Sequence, residues 1–225
     1  VLSIIVPCLN ESHGIADALS ALAPLRARGA EVIVVDGGSR DGTAERARPH
    51  ADAVITAPRG RASQMNAGAA CARGEILLFL HADTRLPDAA DALVVDGLQR
   101  TRRGWGRFDV AIEGRHPLLK VVALLMNWRS RLTGITTGDH AIFVTRSLYT
   151  AAGGYPDIAL MEDIELSKRL KRFGPPLCLK HRLITSGRRW EERGVLRTIL
   201  LMWRLRLAYW LGADPAKLAV RYDRG

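Results

Sequence analysis

Val32-Ile33-Val34-Val35-Asp36-Gly37-Gly38-Ser39-Arg40-Asp41-Gly42-Thr43 decides the fold. Four β-branched apolar residues in a row read as a buried strand that ends at Asp36. Gly37 and Gly38 then make a turn in which the backbone can approach a ligand closely. A short helix is expected to start near Asp41, a residue type that caps helix N-termini.

The same alternation continues on both sides. Residues 2–6 form an apolar run ending at Pro7, and Ile15, Leu19 and Leu22 recur at helix spacing. Downstream, residues 53–56 read as a strand, 62–72 as a helix rich in small residues, and 76–80 as a strand ending at His81-Ala82-Asp83. Pro87 is expected to open a helix carrying Leu93 and Leu98. Strands separated by helices imply right-handed βαβ units and an α/β fold with a mostly parallel central sheet flanked by helices. Ligands of such sheets sit beyond the carboxyl ends of the strands, which points to Asn10, Glu11, Asp36 and Asp83. The second half is less regular. Strands are expected at 105–112, 141–144 and 177–184, and helices at 118–128, 161–173 and 195–211. No linker divides the chain, so residues 1–225 read as a single domain.

Composition narrows the partners. Lys and Arg number 33 against 23 Asp and Glu, a net charge of +10 that either suits an anionic partner such as a nucleotide diphosphate or an acidic membrane surface, or serves solubility in an Arg-rich protein. The basic residues are scattered rather than striped with aromatics, which disfavours nucleic acid. Cys8, Cys71 and Cys178 lack zinc-ligand spacing and are expected to be buried, inert thiols of a reducing compartment, the cytoplasm. No signal-peptide pattern opens the sequence. The apolar segments 118–128 and 195–211 are too short to span a bilayer, which needs about 20 apolar residues. They suit core or homodimer packing. The alternative is peripheral contact with the inner face of a membrane, with Arg197, Arg204 and Arg206 snorkelling beside lipid.

Three acidic groupings could carry chemistry. Asp36 is either a ligand for a base or ribose or simply a turn former. Asp83, held rigidly just past a buried strand, could bind Mg2+ or Mn2+ and so neutralise a departing diphosphate. If extended geometry persists, His81 points the same way and an imidazole would tilt the choice towards Mn2+; otherwise both residues only shape the turn. Met161-Glu162-Asp163-Ile164-Glu165 opens a helix, where acids are favoured by the dipole, yet a carboxylate there could also serve as a general base. Asp139 and His140 stand in a loop and could hold acceptor hydroxyls, or be a turn cap and a packed histidine. A dinucleotide site is unlike this chain, because Pro7-Cys8-Leu9-Asn10-Glu11 follows the first strand instead of Gly-x-Gly-x-x-Gly.

Taken in order, Pro7-x-x-Asn10-Glu11, Val34 to Thr43, Arg61-x-x-Gln64-x-Asn66-x-Gly68, His81-Ala82-Asp83 and Glu162-Asp163 resemble the family 2 glycosyltransferases of the GT-A fold, over residues 2 to about 173. Phe79 to Thr84 and Gly138-Asp139-His140 look like a subgroup named for arsenosugar biosynthesis. The resemblance implies a nucleotide-binding half at about 1–100 and an acceptor half at about 101–225. It also implies inverting transfer from a nucleotide-sugar donor, by family habit UDP-linked, to a small-molecule or lipid-linked acceptor. It assigns the donor to Pro7, Asn10, Glu11, Asp36, Gly38, Arg61, Asn66 and Asp83, and the catalytic base to Asp163 with Glu162 beside it. Two departures follow. The usual Asp-x-Asp metal motif has His81 in its first place. The Gln-x-x-Arg-Trp of polymer-forming members is replaced by Ser186-Gly187-Arg188-Arg189-Trp190, which disfavours processive synthesis. Arg189 could still meet the diphosphate and Trp190 stack on a sugar, or the two are a surface arginine and a core tryptophan. The competing readings are a sugar-phosphate nucleotidyltransferase, which should carry a basic Gly-rich loop after the first strand, and a catalytically inactive nucleotide-binding or membrane-associated scaffold.

Overall fold

A computed structural model describes residues 1–224, with side chains through Tyr222. The first half follows the expected alternation. Strand β1 (Leu2–Cys8) is followed by helices α1 (Ile15–Ser20) and α2 (Ala23–Ala27), then β2 (Glu31–Asp36), α3 (Thr43–Ala47) and β3 (Ala53–Thr56). Helix α4 (Arg61–Cys71), strand β4 (Ile76–Phe79), the short strand β5 (Thr84–Arg85) and helix α5 (Ala90–Thr101) complete it. The second half comprises β6 (Trp105–Glu113), α6 (Leu118–Thr133), β7 (Phe143–Thr145), α7 (Arg146–Ala151) and α8 (Glu162–Lys171). It ends with β8 (Leu177–Ser186), α9 (Arg188–Arg193), α10 (Val195–Trp210) and α11 (Pro215–Arg224).

All eight strands join one sheet in the order β3-β2-β1-β4-β7-β6-β8-β5. The strands β3, β2, β1 and β4 are parallel, as are β6 and β8, whereas β7 and β5 run against their neighbours. Residues on β1 alternate between the two faces. Ile4 and Val6 join Ile15, Leu19 and Phe108 on one side, while Ile5 joins Ile33, Val35, Met65 and Leu166 on the other. Continuous apolar runs such as β2, buried along its whole length, are what a sheet covered on both faces demands. Gly68 lets α4 lie directly on this sheet, because a side chain there would press into Ile5 and Val35. A third cluster, of Leu160, Met161, Ile164, Leu205 and Leu218, fastens α10 and α11 to the start of α8.

Several boundaries differ from expectation for local reasons. Asp41 does not cap α3; Gly42 does so at φ 84°, and Asp41 instead accepts from the Thr43 and Ser12 amides at 3.1 and 3.0 Å, tying this turn to the loop after β1. Pro87 lies in the approach to α5 rather than in it. Helix α6 continues to Thr133, where Gly134 ends it at φ 66°. The cysteine expectation holds only for Cys8. Cys71 falls on the outward side of the last turn of α4 and is exposed, and Cys178 is half-buried. Among the described residues, no helix is long and apolar enough to cross a membrane.

Candidate active site

Each parallel strand delivers a polar turn to the same edge of the sheet. Beyond β1, the backbone reaches Asn10 at φ 55°, a left-handed conformation tolerated by Asn. There its amide donates to Ser39 Oγ at 2.8 Å and its Oδ1 accepts from the Arg40 amide at 3.0 Å. Beyond β2, Asp36 is buried and its carboxylate accepts from the Gly38 and Ser39 amides at 3.1 and 2.9 Å and from the Ser39 hydroxyl. Gly38 supplies the positive φ, 90°, that this turn needs. Gln64 locks the two strand ends together, its amide donating at 2.8 Å to both Cys8 O and Val35 O. These contacts make Asn10, Asp36 and Gly38 the frame of the loop; none of the three lines either of the two cavities beside it.

Two adjoining cavities of 290 and 380 Å³ open beside this frame. Both are lined by Glu11, Arg61, His81, Asp83, Glu162 and Arg189. The larger extends over Pro7, Cys8, Leu9 and Arg59. The smaller extends over Asp139, Asp163, Arg188, Trp190, Met202 and Arg206. Thus Glu11 and Asp83, from the first half, meet Glu162 and Asp163, from the second, around one cleft.

Met161 stands at φ 71°, a strained conformation for a side-chain-bearing residue, immediately before the Glu162–Asp163 pair. The turn aims both acids at the cleft. Asp163 Oδ2 accepts from the Gly138 amide at 2.8 Å and Oδ1 from the Ile164 amide at 2.7 Å, leaving a further lone pair on each oxygen. Glu162 is buried, and burial together with the charge of Asp163 raises its carboxyl to about 7, against the opposing pull of Arg61. Burial also pushes Glu11 up, partly offset by Arg188. Asp139 is driven the other way. Its desolvation is outweighed by the hydrogen bond and charge of His81 and by Arg61, so its carboxyl lies below the usual range.

The extended geometry that would point His81 the same way as Asp83 does not persist. After Phe79 the chain leaves the extended state, and the Thr84 amide bonds back to His81 O at 3.1 Å. The imidazole turns to Asp139, with Nδ1 at 3.6 Å from Oδ1, and its other edge packs on Gly138. Among the described residues, no group of three His, Cys, Asp or Glu side chains is disposed to hold an ion. Asp83 is exposed, however, and its contact from Thr84 Oγ1 is a long 3.3 Å. A single exposed carboxylate fits a hard cation that completes its shell with phosphate oxygens and water.

Two further candidates are placed elsewhere. His140 is fully buried, bonded through Nδ1 to Thr137 Oγ1 at 3.1 Å, and burial and Arg107 press it down to about 3, so it is a neutral core histidine. Asn66 accepts from Tyr149 OH and the Tyr155 amide, at 2.6 and 3.0 Å, and donates to Tyr155 O at 2.9 Å; it secures a loop and lies outside both cavities. Conversely, Met202, Arg206 and Tyr222 line the cleft without any signal in the local sequence. Arg189 lies over the Tyr222 ring, 4.2 Å from its centroid, so the last helix forms part of the wall.

The family described as Glycosyl transferase family 2 matches residues 3–143. The probable glycosyltransferase YdaM of Bacillus subtilis is 26% identical over 91% of this chain and 53% of its own length. The poly-beta-1,6-N-acetyl-D-glucosamine synthase of Staphylococcus epidermidis is 29% identical over 44% of this chain and 26% of its own. The chain therefore spans about half or less of the relatives it matches. Among solved structures, the mannosyltransferase PcManGT of Pyrobaculum calidifontis, in complex with GDP-Man and Mn2+, superposes with a TM-score of 0.65 at 24% identity, covering 98% of this chain and 68% of that one. TarS of S. aureus in complex with UDP gives 0.66 at 18% identity over 82% and 60%. These likenesses establish the GT-A type of fold.

Proposed function

Because the chain belongs to glycosyl transferase family 2, we propose that it transfers a sugar from a nucleoside diphosphate donor, UDP-linked, to an acceptor hydroxyl in one inverting, non-processive step. The observation that carries this reading is the convergence of Glu11, Asp83, Glu162 and Asp163 on a single cleft.

The donor occupies the larger cavity, its nucleoside against Pro7 to Leu9 over the loop that Asp36 stiffens. Glu11, at the rim shared with the smaller cavity, takes the ribose hydroxyls. Arg61 and Arg189 face the diphosphate and stabilise the charge it gains as it departs. Mn2+ or Mg2+ held by Asp83 would supply Lewis-acid help to the same leaving group. The acceptor enters the smaller cavity, where Trp190 offers a flat apolar face and Asp139 a hydrogen-bond acceptor. Asp163, fixed by two amide donors, takes the proton of the attacking hydroxyl. Glu162, with its carboxyl raised to about 7, carries a proton for much of the time at neutral pH and so donates a hydrogen bond instead of competing as base. The absence of Gln before Arg188-Arg189-Trp190 accords with one transfer per binding event.

Donor turnover in a panel of UDP- and GDP-sugars with Mn2+ tests the proposal, comparing the native chain with Asp163→Asn and Asp83→Ala. Turnover indifferent to both substitutions would overturn the assignments. Donor binding in thermal-shift assays without any turnover would instead favour a nucleotide-binding scaffold.

A further inference from the structure

Eleven of the large apolar side chains that the described residues expose lie on just two helices and the residue after them. On α6 they are Val121, Leu124, Leu125, Trp128 and Leu132; on α10 and its cap they are Leu196, Leu200, Trp203, Leu207, Trp210 and Leu211. Both sets follow the helical period, so each is one continuous stripe. Trp128, Trp203 and Trp210 are 61%, 67% and 80% exposed, values unusual for the largest apolar side chain.

The two helices are neighbours. Residues 115–117, leading into α6, and Gly194 to Arg197, opening α10, line one open groove of 620 Å³. Leu119, Val122 and Val195 are buried in the same core cluster. Further along, Arg129 lies close enough to Arg206 for the two charges to oppose one another. The stripes therefore start from adjoining helix N-termini and run in the same general direction, each on the side of its helix away from that core.

Charge identifies what covers them. Helix α6 exposes Lys120 and Arg131, helix α10 exposes Arg197 and Arg204, and neither helix has an acidic residue, while Arg129 and Arg206 are turned inward. A second copy placed on this face by a two-fold axis would bring cations against cations. A bilayer rich in anionic headgroups answers both features. Tryptophan rings favour the headgroup level, apolar stripes bury just beneath it, and basic side chains draw the surface in. We propose that the paired stripes of α6 and α10 dock this protein on an anionic membrane surface, with the helices lying in its plane.

Co-sedimentation with vesicles of phosphatidylcholine, with and without phosphatidylglycerol, tests this directly. Binding is expected to require phosphatidylglycerol and to weaken as salt rises. The double substitution Trp128→Glu, Trp203→Glu should lower the bound fraction at least about tenfold, as removal of two interfacial anchors requires. Lys120→Glu with Arg197→Glu leaves the apolar stripes intact and should abolish the preference for phosphatidylglycerol. A native chain that stays in the supernatant with anionic vesicles at low salt would overturn the proposal. So would light scattering that shows a dimer split by Trp203→Glu, since the face would then join two copies.

Discussion

On the side of the cleft built by residues 1–83, Glu11 and Asp83 stand on turns that follow parallel strands, and Arg61 opens the helix after another. On the far side, Asp163 stands at a helix start, Asp139 in the short 3-10 turn Gly138–His140 and Arg206 towards the end of α10. The first wall is braced by its own backbone, through Asp36 on the Gly38 and Ser39 amides, Asn10 on Arg40 and Gln64 across two strand ends. The second is held by contacts among helices and a turn, such as Gly138 with Asp163 and the cluster joining α8, α10 and α11. The near wall is braced by hydrogen bonds that tie strand ends and their loops together. The far wall, assembled from packed helices, places chemically active groups at the cost of keeping an acid such as Glu162 buried beside another.

The sharpest test of that division is Asp163→Asn. Transfer should fall by about a hundredfold to ten-thousandfold, the usual worth of a positioned base, while the donor still raises the melting temperature as before. An unchanged rate would remove chemistry from the far wall. Next comes Glu162. Its folded carboxyl titrates at about 7 against an ordinary 4.5, so the folded chain holds this proton longer than the unfolded one does. Stability from this group is therefore greatest at pH below 4.5 and declines as pH rises to about 7. Glu162→Gln should flatten that decline and leave the variant more stable than the native chain above neutrality, read from urea melts across pH. A native-like slope in the variant would show that Glu162 is not the strained acid.

The near wall should respond in stability instead. Gly68→Ala forces a methyl into Ile5 and Val35, and overpacking of this kind costs about 1–3 kcal/mol, measured as a fall of several degrees in melting temperature. The smallest effect is chemical. Cys71, exposed on α4, should react with iodoacetamide in the native state. Cys8, pushed up to about 12 by burial and by Asp36, should react only on unfolding. Native labelling of Cys8 would mean that the near wall opens.

The same contrast explains what could be read from residues alone. Strand ends at Pro7, Asp36 and Asp83 follow from local alternation of apolar runs and turns, so the near wall was legible without knowing which strands pair. Glu162 and Asp163 stood out only through resemblance, because acids at a helix start are ordinary. Met202, Arg206 and Tyr222 gave no local sign, since their place depends on how α10 and α11 fold back on the start of α8. Proximity to a motif misled twice. Asn66 secures the Tyr149–Tyr155 loop, and His140 fills the core behind Asp139. Burial of Cys71 failed because the sheet covers only one side of α4, and the periodicity of a helix rich in alanine does not reveal which side.

Helix α10 is a partition, with Thr198, Met202 and Arg206 turned to the cleft and Leu200, Trp203 and Leu207 turned outward. A rigid partition cannot move for one side alone. If filling the cleft displaces it, grip on whatever lies outside must change, and thermodynamic reciprocity then makes outside attachment alter grip on the substrate by the same factor. Occupancy within and attachment without would thus be two readings of a single equilibrium.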